Sequence, residues 1–161
     1  MFLWFVVLAP VIVAEIFKSP KLDYRLVSFA AVFPILGSIP ILPNIFHSFL
    51  FPTIVLVLVM LSTVGKRLRR RKLLAFPIGL YLHLILDFSW LSDKSLWWPF
   101  FGSDLDNLVT PELEDIPVKL ALDLFSIAIG MWAWTRYKLN DPDNLKLYIR
   151  SGNLSYAVCK R

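Results

Sequence analysis

Apolar residues along this chain fall into five long segments separated by short polar ones: about Phe2–Phe17, Leu26–Pro43, Ile45–Val64, Leu73–Leu91 and Val118–Thr135. Each is predicted to be helical. At 1.5 Å per residue the last three reach roughly 27–30 Å, enough for the hydrocarbon core of a bilayer. The first is shorter and carries Glu15 near one end. It has no basic residues before it and no convincing small-residue cleavage site after it, so a retained first membrane helix is expected rather than a cleaved signal peptide. The second contains Pro34, Pro40 and Pro43 with Gly37 between them. It predicts either a kinked span or a re-entrant segment, because prolines free backbone groups that must face protein or water. The expected architecture is all-α: a polytopic transmembrane helical bundle of about five spans over residues 1–135, then a short basic cytoplasmic tail over 136–161.

The connecting segments give the bundle a direction. Lys18, Lys21 and Arg25 fill the first link, and Lys66, Arg67, Arg69, Arg70, Arg71 and Lys72 fill the third. The tail adds Arg136, Lys138, Lys146, Arg150, Lys160 and Arg161. The fourth link has one lysine, Lys94, against Asp93, Asp104, Asp106, Glu112, Glu114 and Asp115. Positive residues stay on the cytoplasmic side. Five crossings with the N-terminus outside and the C-terminus inside satisfy every link at once, in a prokaryotic inner membrane. Trp90, Trp97, Trp98, Phe100 and Phe101 then fall at the outer interface, and Trp132, Trp134 and Tyr137 at the inner one. In the tail, Leu145–Ile149 and Leu154–Val158 flank a Ser-Gly-Asn turn, which predicts a hairpin or an interfacial segment.

Composition agrees. Hydrophobic residues make up 57% of the 161, and mean hydropathy is +0.64, well above a soluble domain. The formal charge of +5 would suit nucleic acid, but the cations flank apolar segments, so orientation in a membrane explains them and no specific nucleic-acid partner is expected. Membrane lipids are the expected partners, with anionic lipid binding secondary for the Lys66–Lys72 cluster. Cys159 is the only cysteine, which excludes an intrachain disulfide and a CxxC metal site.

Against this apolar background a few polar residues stand out. In Phe76–Gly102, Gly79, His83 and Asp87 recur every four residues, on one helix face. A central Asp costs about 2.5–3.5 kcal/mol to insert, so such residues face the protein interior and often mark a function. Gly79 is expected to leave room beside the pair for a ligand or water. On the five-span topology His47, followed by Ser48, lies at the same depth, and Asp123 sits near the outer end of the last helix. Two imidazoles and one or two carboxylates suit zinc or manganese. His47, His83 and Asp87 are the candidate metal ligands, with Asp123 completing or orienting the site. Other roles fit the same residues: His83 and Asp87 bonded to each other, Asp123 paired with Lys119, and His47 reaching to the interface.

The residues His47-Ser48-Phe49-Leu50, Gly79-Leu80-Tyr81-Leu82-His83-Leu84-Ile85-Leu86-Asp87 and Trp97-Trp98-Pro99-Phe100-Phe101-Gly102 resemble the YdjM-like family of prokaryotic inner-membrane proteins, described as metal-dependent hydrolases. The resemblance covers about Pro34 to Gly102. It implies a fold related to zinc-dependent phospholipase C and S1/P1-type nucleases, and a phosphoester substrate, lipid phosphoesters included. It also implies a histidine near the N-terminus and a Pro-Asp-x-Asp element before the His-Ser pair. This chain has no histidine before His47, and Pro40-Ile41-Leu42-Pro43-Asn44 carries no carboxylate. Two other functions are consistent with the sequence. One is a non-catalytic scaffold or partner-binding subunit that keeps the fold with a degenerate site. The other is a small transporter or ion relay using the polar layer.

Overall fold

A computed structural model describes residues 1–19, 21–36, 44–88, 96–97, 100 and 116–154. The proline-rich stretch 37–43, Trp90, Trp98 and Phe101, the acidic residues of the fourth link, and the tail beyond Leu154 lie outside them. The described residues are helical, with no strand among them. We label α1 (Phe2–Phe17), α2 (Tyr24–Leu36), α3 (Leu50–Ser62), α4 (Arg67–Leu73), α5 (Ala75–Leu86), α6 (Ile116–Arg136) and α7 (Pro142–Ser151), with a 3-10 turn at Asn44–His47.

All five apolar segments become helices, but four are shorter than a span. Only α6, with 21 residues and about 31 Å of length, is long and apolar enough among the described residues to cross a membrane. The others have 12 to 16 residues, about 18–24 Å. Local sequence explains the shortening. The third segment opens with the 3-10 turn, and Pro52 then sits in the first turn of α3, where a missing N–H costs least. The fourth begins after Leu74, which separates α5 from the basic helix α4 before it, with Pro77 in the first turn of α5. It ends at Leu86, and Phe88 turns the chain away at φ 57°. In the tail, Leu145–Ile149, the first arm of the hairpin or the interfacial segment expected there, lies in helix α7, and the second arm beyond Leu154 falls outside the described residues. Asp141 caps α7, accepting from the Asp143 N–H, Pro142 opens it, and Gly152 closes it at φ 66°.

The helices alternate in direction. α2 and α5 lie side by side and parallel: Gly79 meets α2 at Val27 and Ala30, and His83 reaches Ala31 one turn further on. α1 runs against both and is held at each end. At one end, Asp123 of α6 accepts from the Trp4 N–H at 3.1 Å, its other oxygen lies 3.1 Å from the Met1 nitrogen, and Trp4 Nε1 donates to Leu86 O at 3.2 Å. At the other end the Tyr137 hydroxyl donates to Glu15 at 3.2 Å, and Arg136 stands 3.7 Å from the same carboxylate. Burial and the Glu15 carboxylate push the Tyr137 phenol above its ordinary range. α7 docks at this second end, where Gly152 O accepts from the Tyr24 N–H at 2.9 Å and Ile149 O accepts from Arg25. The core runs through Phe5, Ala9, Val13, Tyr24, Val27, Ala31 and Leu80, with small side chains wherever helices approach closely. Outward faces stay apolar: Ile54, Leu58 and Leu61 on α3 and Leu120, Leu124, Phe125, Met131 and Trp132 on α6 are exposed.

Candidate metal centre

Four segments build the site at the end where α1 begins. His47 comes from the 3-10 turn before α3, and the Phe49 N–H donates to Leu96 O just behind it. His83 lies in the last turn of α5 and Asp87 at its C-terminal cap. Phe5 of α1 covers the His83 ring at a centroid distance of 4.5 Å. α2 supplies the fourth contact. In its last turns Ala31 O accepts from His83 Nδ1 at 2.7 Å.

That bond sets what His83 offers. With Nδ1–H committed to a carbonyl, Nε2 keeps its lone pair and faces the cluster, the arrangement that metal-ligating histidines use. His83 Nε2 lies 3.5 Å from His47 Nε2, and His47 Nε2 lies 3.7 Å from Asp87 Oδ2. One ligand atom from each of the three residues falls within 4.8 Å of the others. Donors about 2.0–2.1 Å from a tetrahedral zinc stand about 3.3 Å apart, so the 3.5 and 3.7 Å separations are close to that spacing, while the widest pair, up to 4.8 Å apart, has to close by more than about 1 Å to share one ion. The three residues are only 6%, 1% and 9% exposed, and His47 and Asp87 stand as an ion-pair contact within that buried cluster. Ser48 Oγ, next in the chain to His47, is fully buried and takes no hydrogen bond among the described residues. A buried unsatisfied hydroxyl costs about 1–3 kcal/mol, which suits a position where water or a ligand supplies the partner.

No family model, curated protein or solved structure matches this chain.

Of the residues singled out from sequence, His47, His83 and Asp87 are therefore brought together, and Asp123 is not. Asp123 holds the start of α1. Lys119, one turn earlier, lines a cavity of about 280 Å3 together with His47, His83, Asp87, Met1, Phe2, Phe5 and Ile35. Gly79 makes no space beside the pair either. A Cβ there would sit 2.6 Å from Val27 O and 2.7 Å from Ala30 Cβ, so its missing side chain is the contact between α5 and α2. Room for a ligand comes instead from the far side of the cluster, under the first turn of α1. Lys119 and Phe5 have no signal in the sequence that would mark them; both enter the site only through the way α6 seats α1.

Proposed function

We propose that the protein is a multi-pass membrane protein carrying a metal-dependent hydrolytic site, with His47, His83 and Asp87 as ligands to zinc or manganese. The observation that carries this reading is the convergence of three buried ligand atoms beside a cavity, with one imidazole already oriented by a backbone carbonyl. Three protein ligands with an open position is the pattern of catalytic rather than structural zinc sites. A divalent ion bound there lowers the pKa of a coordinated water and polarises a phosphoryl or carbonyl oxygen. The chain's own part is to hold the ligands, exclude bulk water with Phe5 and Ile35, and present the cavity to a phosphoester or lipid substrate. The resemblance to YdjM-like proteins points the same way.

Membrane placement rests on three supports: the span-length helix α6, the apolar outward faces of α3 and α6, and segregation of charge. Lys18, Lys21, Arg25, the cations of α4, Arg136, Lys138, Lys146 and Arg150 gather at one end of the bundle. In the proposed topology that end is cytoplasmic, the N-terminus and the metal centre lie at the outer end, and the shorter helices are accommodated by local thinning of the bilayer.

Metal content of the detergent-purified full chain is the test. Near-stoichiometric zinc or manganese is expected, lost in His83→Ala and in Asp87→Ala while both variants stay folded. A second reading has its own support, since His83 and His47 tie α2, α5 and the 3-10 turn together. If that scaffold role is the whole story, wild type holds no metal. Each single change then destabilises by about 1–3 kcal/mol, and a double change to an apolar pair restores stability.

A further inference from the structure

The end of the bundle away from the metal centre carries two short helices for which a hydrolytic site has no use. α4 brings Arg67, Arg69, Arg70, Arg71 and Lys72 together, and its Leu68 is 70% exposed. In α7, Lys146 stands one turn before both Ile149 and Arg150, so the three share a face, and Ile149 is 59% exposed. The acidic side chains nearby are engaged: Glu15 stands against Arg136, Asp23 against Arg25, and Asp141 caps α7. From Ser62 to Leu86 the sequence has no acidic residue. Chain length fixes where the two helices lie. Only Thr63–Lys66 separate α3 from α4, and α5 begins at Ala75, just beyond α4. Only Tyr137–Asp141 separate α7 from α6, whose exposed Trp132 and Trp134 suit a membrane interface. α7 then folds back across the end of the bundle, where Ile149 O accepts from Arg25 and Gly152 O from the Tyr24 N–H.

We propose that α4 and α7 together form a docking surface for an anionic phospholipid leaflet, with their cations on the lipid phosphates and Leu68 and Ile149 among the first acyl carbons. This rests on the membrane placement above and not on the metal. Arginine takes phosphate oxygens in pairs through its planar fork, and long cationic side chains keep their charge in the headgroup layer while their stems lie along apolar surface. Exposed aliphatic residues set among cations are the mark of a helix lying in that layer. A nucleic acid would meet the same cations, but Leu68 and Ile149 have no use on a phosphate backbone, which favours the lipid. Each cation near an anionic leaflet strengthens attachment by about fivefold, so several on each helix act together where one would do little.

Lipid retention by the full-length protein tests this. The protein is reconstituted in nanodiscs of phosphatidylcholine and phosphatidylglycerol in equal amounts, and the lipids that stay on it after release into mild detergent are counted by native mass spectrometry. Wild type is compared with a triple variant of α4 (Arg67→Gln, Arg69→Gln, Arg71→Gln), the same three positions as Arg→Lys, and a double variant of α7 (Lys146→Gln, Arg150→Gln). Arg70 is kept, since its guanidinium reaches Thr63 O at 3.4 Å. Expected is retention of phosphatidylglycerol over phosphatidylcholine by at least about tenfold in wild type, largely kept in the Arg→Lys triple. Each glutamine variant should lower that preference by at least about fivefold, with its melting temperature unchanged. Equal retention of the two lipids by wild type overturns the surface and leaves the membrane placement standing. A chain that enters no nanodisc removes both. An undiminished preference in the α4 triple or in the α7 double overturns the part given to that helix. Displacement of phosphatidylglycerol by an equimolar short RNA overturns the lipid as partner, in favour of nucleic acid.

Discussion

At the scale of single residues, Gly79 and Lys119 show where a sequence pattern misleads. Gly79 recurs on the same face as His83 and Asp87, and its small size suggests open space. The space is occupied by the α2 backbone. A carbonyl cannot swing aside as a flexible side chain can, so Gly79→Ala is expected to destabilise by about 1–3 kcal/mol, measured as thermal unfolding in detergent. Metal retention should weaken with it, because the carbonyl that orients His83 belongs to the displaced helix. An unchanged unfolding midpoint would count against the close packing of α2 and α5. The three clustered residues were legible because ionisable residues in an apolar segment are costly, and their shared depth follows from counting residues along antiparallel helices. Lys119 and Asp123 were not separable. They are one turn apart on one helix, and which of them faces the cavity depends on how α6 rotates against α1.

Among the elements, the helices at the basic end were the least readable. The run Arg67–Leu73 looks like a charged link, yet arginine, leucine and lysine are good helix formers and the run contains neither Gly nor Pro. It folds as α4, with its residues exposed or half-buried. The tail was ambiguous for a different reason. Ser151-Gly152-Asn153 serves equally as a hairpin turn or a helix stop, and only Asp141-Pro142 ten residues earlier favours the helix. Gly152 has two duties there: a left-handed backbone at φ 66°, and contact with Asp23, whose Oδ1 would lie 1.7 Å from an added Cβ. Gly152→Val should therefore release α7 from α2, losing at least about 1 kcal/mol locally. Faster amide exchange over 142–151 would register the loss, with α1 and α5 unaffected. Uniform acceleration across the chain would instead mean that α7 is part of one cooperative unit with the bundle.

For the molecule as a whole, the all-helical character and the alternation of directions could be read from the five apolar segments, whereas helix length could not. Proline positions and the breaks at Leu74 and Phe88 trimmed the third and fourth segments, and these are local backbone effects that hydropathy does not see. The proposed orientation makes a direct prediction. In a background with Cys159→Ser, a cysteine at the exposed Ile116 should react with an impermeant reagent added outside cells, and one at Arg69 should react only after the membrane is opened. The reverse pattern would invert the topology. The fastening of α1 by Asp123, across 119 residues of chain, also bears on how the protein is made. By the time Asp87 has left the ribosome, His47, His83 and Asp87 all exist, but the helix that fastens the start of α1 beside them has not yet been synthesised. A nascent chain stopped after α5 therefore carries the complete cluster with α1 unfastened at that end. Synthesis thus delivers the three clustered side chains first and the contact that closes the bundle next to them last.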